Sequence, residues 1–155
     1  MNDKMKTACR RIIRILMVLI GAFLLLVGLV IPMVNNGIAL GLEKELKGLP
    51  LPEHTSLADS LSAAGRYDGS AESVRYFGAV LLQSNQTLEE LQTYYATVAP
   101  GSVLAVQAGQ TVTCVGAGEL AFRTEPAGEG YYILYTLDRT FHIGQGWLNL
   151  DIRGR

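Results

Sequence analysis

Ile15-Leu-Met-Val-Leu-Ile-Gly-Ala-Phe-Leu-Leu-Leu-Val-Gly-Leu-Val-Ile-Pro-Met-Val34 carries no charged side chain, and fourteen of its residues are Leu, Ile, Val or Phe. At 1.5 Å per residue, about 20 apolar residues span a hydrocarbon core of about 30 Å. Each Leu, Ile, Val or Phe near the centre favours insertion by roughly 0.3–0.6 kcal/mol, so the stretch as a whole favours it by several. The expectation is a transmembrane helix over residues 15–34.

The charge on either side of this stretch is unequal. Before it stand Lys4, Lys6, Arg10, Arg11 and Arg14 against Asp3 alone. From Asn35 onward, 8 Lys/Arg face 13 Asp/Glu, which hides behind a net charge of −1 for the 155 residues. Basic residues resist translocation, so residues 1–14 read as a cytoplasmic tail and the acidic remainder as the outer part. The basic tail also suits anionic lipid headgroups, so the lipid bilayer is the first expected partner. An acidic exterior domain argues against nucleic acid. The rival reading is a secretory signal cut near Ala39, where Gly37-Ile38-Ala39 supplies small residues at the required positions. Against it, the apolar run exceeds the roughly 7–15 residues of a signal core.

Cys9 precedes the span and Cys114 follows it, so this topology forbids their pairing within one chain. Cys9 reads as a juxtamembrane thiol open to acylation, and Cys114 as a small buried residue in an alternating run.

Pro32 removes one helical hydrogen bond near the outer end of the span. Asn35-Asn36-Gly37 reads as a break there. Beyond it, Ile38, Leu42, Leu46 and Leu49 recur at helical spacing, with Glu43, Lys44, Glu45 and Lys47 between them. The pattern predicts a juxtamembrane amphipathic helix ended by Gly48 and Pro50. Gly37 and Gly41 form a Gly-x-x-x-Gly pair that permits a close helix contact. Leu49-Pro-Leu-Pro-Glu53 reads as a stiff connector, so residues 35–52 link the span to an extracytoplasmic domain over residues 53–155.

Within that domain, residues 55–66 read as a first strand and Tyr67-Asp-Gly-Ser-Ala-Glu-Ser73 as a turn. Residues 74–84 are apolar on both alternating faces, which predicts a central strand. Thr87-Leu-Glu-Glu90 matches a capping box, and Leu88, Leu91, Tyr94, Tyr95 and Val98 make the stripe of a helix over about 88–98. Short strands follow at 102–107, 110–115, 119–124, 131–137, 140–143 and 147–152, separated by glycine-containing turns. Successive hairpins of this kind predict an α+β domain: an antiparallel sheet of about six to eight short strands with one packed helix.

Tyr76-Phe-Gly-Ala-Val-Leu-Leu-Gln-Ser84, followed by Thr87-Leu-Glu-Glu-Leu-Gln-Thr-Tyr-Tyr95, resembles small bacterial single-pass membrane-anchored proteins. These combine a Leu-Pro-rich connector, a strand hairpin and a similar helix. The resemblance covers about residues 50–95 and implies a bacterial source and the layout above. No activity is attached to it, so no catalytic or binding residue carries over.

The chemistry-bearing residues are scattered. His54, His142 and Cys114 lie in three separate segments with no ligand-spaced neighbour, so neither metal nor cofactor is expected. Ser56, Ser60, Ser62 and Ser102 lack a nucleophile context. Glu89 and Glu90 suit a helix N-terminus, while Glu119, Glu125 and Glu129 read as solvated charges. Gly116-Ala-Gly118 precedes no helix, as a phosphate cradle would require. The one suggestive cluster is aromatic: Tyr131, Tyr132, Tyr135, Phe141 and Trp147. The candidate interaction surface is therefore Tyr131, Tyr135 and Trp147 with Arg123 and Arg139.

Three functions follow as expectations. The first is a non-enzymatic module outside the cell that binds a protein partner or forms a homo-oligomer. The second is a small-molecule or lipid-binding sensor of the envelope, with an apolar pocket between sheet and helix. The third is an envelope hydrolase using Cys114 or a serine with His142 or His54.

Overall fold

The computed structural model describes residues 3–65, 74–106, 111–113, 119–124, 129–138 and 146–151. The chain begins with helix α1 (Asp3–Leu25), passes through a five-residue π turn (Leu26–Val30) and continues as α2 (Ile31–Lys47). Within it, Ala8–Lys47 is a helix of 40 residues, long and apolar enough to cross a membrane. Its length of about 60 Å is about twice the hydrocarbon thickness.

The π turn sits where the sequence demands a compromise. Pro32 has no N–H to give, and its ring crowds the carbonyl four residues back. The turn before it widens, and the Ile31 N–H bonds to the Leu26 carbonyl instead. The helix therefore runs on past the proline. It also runs through Asn35-Asn36-Gly37, where the sequence reads as a break. The reason is tertiary: Val27, Ile31, Asn35 and Ala39 form one buried stripe at four-residue spacing. Packing of that stripe outweighs the weak helix propensity of two asparagines and a glycine.

The domain is α+β. Strands β1 (Thr55–Gly65), β2 (Arg75–Ser84), β3 (Val103–Val106) and β6 (Tyr131–Asp138) form an antiparallel-paired sheet in the order β1-β2-β6-β3. Strands β4 (Thr111–Thr113) and β5 (Glu119–Ala121) pair only with each other. The described residues thus make a four-stranded sheet and a separate two-stranded ladder, not one sheet of six to eight strands. β1 with β2 and β4 with β5 pair as sequence neighbours, but the remaining pairings are not successive hairpins. β6 inserts between β2 and β3, in register Ala79↔Tyr135 on one side and Val103↔Tyr135 on the other. Both partners are antiparallel to β6, so β2 and β3 run the same way, joined by a crossover containing α3 (Leu88–Val98). β6 pairs with β2 over eight residues and with β3 over four. The expected strand at 140–143 and the turns at 67–73, 108–109, 116–118 and 138–139 fall wholly or partly outside the described residues.

The expected strand at 147–152 is instead a 3-10 helix (Gly146–Leu150). Its alternation of apolar and polar residues mimics a strand, yet Leu148 is buried against Val27 and Ile31 of the first helix.

Both faces of β2 are buried, as its sequence predicts. On one face, Val80 and Leu82 pack with Leu134, Leu46 of α2, and Leu91 and Tyr95 of α3. On the other, Phe77, Ala79 and Leu81 pack with Ala63, Ile133 and Phe122. Helix α2 approaches the sheet at Gly78, where a Cβ would stand 2.8 Å from the Glu43 backbone nitrogen. The capping box of α3 forms as expected, with the Thr87 hydroxyl accepting from Glu90 N and the Glu90 carboxylate accepting from Thr87 N.

Tyr95 is 3% exposed, and its hydroxyl meets no hydrogen-bond partner among the described residues. Burial, with the neighbouring Tyr94, pushes the phenol up to about 12. A raised phenol stabilises the fold fully below the unfolded value of 10.0, and that contribution drains away as pH rises towards 12. Tyr95→Phe removes an unsatisfied buried group and should keep or raise the melting temperature, by the equivalent of about 1 kcal/mol at most. It should also soften the alkaline loss of stability above pH 10.0. Thermal melts from neutral to alkaline pH check both.

Candidate functional site

Two polar arrangements stand out against this apolar frame, and both involve α2. The first is a cleft of about 540 Å³ beside β1, lined by Glu43, Lys47, Asp59, Ser60, Ser62 and Arg123 among others. Alternation along β1 puts Ser60 and Ser62 on the helix side, opposite Val80 and Gly78. Both serine hydroxyls donate to Glu43, to Oε1 and Oε2 respectively, at 2.7 Å each. Lys47, one turn along α2, stands 3.8 Å from the same carboxylate. Asp59 faces the other way. Its Oδ2 accepts from the backbone N–H groups of Arg123 (2.7 Å) and Thr124 (2.9 Å).

Burial alone would raise the Glu43 carboxyl, but hydrogen bonds from Ser60 and Ser62 and the charge on Lys47 outweigh it and hold the group below 4.5. Asp59 follows the same logic: burial raises it, and the N–H groups of Thr124, Ser60 and Arg123 bring it below 3.8. A carboxylate held this way is a poor base, so it does not activate the serines. It fastens α2 to β1. A depressed carboxyl stabilises the fold above its unfolded value and loses that contribution as pH falls through its folded one. Glu43→Gln should therefore cost about 1 kcal/mol at pH 7. The gap to wild type should close as pH drops below 4.5. Melting curves of both chains over that range measure it.

The second arrangement is fully buried. Asn35 Nδ2 donates to the Leu148 carbonyl (3.2 Å) and to Asp151 Oδ2 (2.8 Å). Its Oδ1 accepts from the Tyr76 hydroxyl at 3.0 Å. Nearby, Asn149 Oδ1 accepts from Val74 N. Together these bonds clamp the C-terminal 3-10 helix and Asp151 onto the long helix and the start of β2.

The described residues among those singled out from sequence belong to several different elements. Tyr131 and Tyr135 share the sheet face away from the helices, half-buried against the Phe77 cluster, with the Phe77 and Tyr135 rings 5.6 Å apart. Tyr132 takes the opposite face, as alternation predicts, and donates its hydroxyl proton to the Gln86 carbonyl. Arg123 is exposed at the rim of the cleft. Trp147 belongs to the 3-10 helix, away from the strand that carries the tyrosines. Arg139, Cys114 and His142 lie outside the described residues. Gly37 and Gly41 are exposed on α2, and a Cβ at either would meet nothing within 4 Å.

His54 is exposed at a turn with φ 57°, and its carbonyl accepts from Asn85 N. Among the described residues no group of three His, Cys, Asp or Glu side chains could hold a metal ion. The seam between helices and sheet is filled by Val80, Leu82, Leu91 and Leu134, each at most 1% exposed. Sequence reasoning missed Asn35, Asp151, Glu43 and Gly78. For Asn35 a signal existed, since it falls four residues from both Ile31 and Ala39 on one helical stripe. Nothing local marks the other three.

No protein-family model, curated protein or solved structure matches the chain.

Proposed function

We propose that this chain is a single-pass membrane protein whose acidic head lies outside the cytoplasm and acts as a non-enzymatic interaction module. The observation that carries the reading is continuity. The exposed apolar helix passes, without a loop, into a helix buried in the domain core. A head joined this way keeps one orientation to the bilayer, which suits assembly and transmission better than free diffusion on a tether. The basic tail before the span and the acidic surplus after it favour a cytoplasmic N-terminus.

The partner is a second copy of this chain or another envelope protein. Gly37 and Gly41, exposed with open space beside them, support close approach of a second helix. Protease added to intact cells should digest the head and spare the tail. Crosslinking of the full chain in those cells should trap a dimer or a fixed heteromeric adduct, and Gly37→Leu with Gly41→Leu should weaken a dimer. A chain recovered only as a monomer, with no adduct, overturns the module. A head sheltered from protease overturns the orientation.

A further inference from the structure

We propose that the C-terminal 3-10 helix is a second membrane contact, with Trp147 and Leu150 seated in the headgroup–acyl boundary beside the emerging first helix. The inference rests on the membrane-spanning reading above and adds a depth to it.

Leu148 is 3% exposed and packs on Val27 and Ile31, so the 3-10 helix lies level with that turn of the long helix. In a 3-10 helix, residues three apart eclipse one another. Trp147 and Leu150 therefore share one side, which points outward: they are 44% and 49% exposed. The neighbouring turns of the long helix present Leu26, Leu29, Val30 and Met33, also exposed. These exposed apolar side chains lie at one level, set by the seat of Leu148 on Val27 and Ile31. The polar groups of Asn149 and Asp151 turn away from them. Asn149 bonds to Val74 N, and Asp151 is 3% exposed and bonded to Asn35. An apolar surface level with a lipid-facing helix, with no exposed charge among its described residues, calls for the same solvent. Tryptophan, with an apolar body and one N–H, favours the interfacial layer.

The placement also fixes the span. Residues 12–30 measure about 28 Å along a helix, matching the hydrocarbon core, with Arg14 free to extend towards the inner headgroups. Ile31 and Asn35, each 0% exposed, are covered by protein instead of lipid on the adjoining turns. The hydrocarbon boundary thus falls at the level of the 3-10 helix, about one turn before Val34.

Trp147 is the single tryptophan of the chain, so the wild-type protein carries its own probe. The full chain is reconstituted in phosphatidylcholine vesicles with acyl chains brominated either near the headgroup or near the methyl end. Emission should be blue-shifted, should lose most of its intensity to the shallow bromines and less to the deep ones, and should resist acrylamide. Quenching by acrylamide with no effect of either bromolipid places Trp147 in water and overturns the contact. Stronger quenching by the deep bromines overturns the depth. An alkaline wash of the same vesicles tests insertion separately. A chain that stays while Trp147 reports water defeats this contact alone, and a chain that washes off defeats the spanning reading with it.

Discussion

Gly78→Val is expected to lower the melting temperature of the full chain by about 10 °C, equivalent to about 3 kcal/mol, because overpacking here meets backbone. A Cβ at Gly78 would lie 2.8 Å from Glu43 N, 2.9 Å from Leu42 C and 2.9 Å from Leu42 Cβ. None of these is the tip of a flexible side chain, so α2 must lift from the sheet. Lifting it loosens Leu46 from Val80 and Leu82, and stretches the bonds from Ser60 and Ser62 to Glu43. Gly21→Ala is the matched control. With nothing within 4 Å of its Cβ it should be neutral, or stabilise the helix by up to about 1 kcal/mol. Calorimetry in detergent compares the two. Equal melting temperatures for Gly78→Val and wild type would mean that α2 does not sit on β2 as described.

Asn35→Leu should cost about 3 kcal/mol although leucine is similar in size and the stripe on either side, Ile31 and Ala39, is apolar. The asparagine is 0% exposed and makes hydrogen bonds to Leu148 O, Asp151 and the Tyr76 hydroxyl. Leucine fills the space and supplies none of them, so a buried carboxylate loses a donor and a carbonyl loses another. Asn35→Asp keeps the shape but turns a second carboxylate oxygen towards Asp151, and should be at least as damaging near neutral pH. Both variants should release the C-terminal segment to limited proteolysis well below the main melting transition. A segment that stays protected in both would show that Leu148 packing alone holds it.

Legibility followed the range of the interactions. The α3 helix was readable because Thr87 and Glu90 form its cap within one turn. Strand β2 was readable because both of its alternating faces are apolar. What decided the rest acts across the whole chain. Nothing near Gly78 in sequence announces that Glu43 passes over it, since the contact joins residues 35 positions apart. The 3-10 helix reads as a strand because Leu148, Asn149, Leu150 and Asp151 alternate, while the partners that fix Leu148 are Val27 and Ile31. Likewise Asn35 looked like a helix breaker because its partners lie 113 and 116 residues away. Tyr131 and Tyr135 were placed correctly relative to each other, but Trp147 could be located only through a tertiary contact.

The strand order has a consequence for biogenesis. As the nascent chain leaves the ribosome, the long apolar helix precedes the sheet, and β6, which belongs between β2 and β3, emerges late. Until residues 131–138 arrive, β2 and β3 face an empty slot, each offering an unzipped border to any other extended chain. The head is sealed only when Leu148 and Asp151 close on a helix made more than a hundred residues earlier. Nearly the whole polypeptide must therefore be made before its fold can shut. Any holding factor that meets this chain has to shield that slot in the interval.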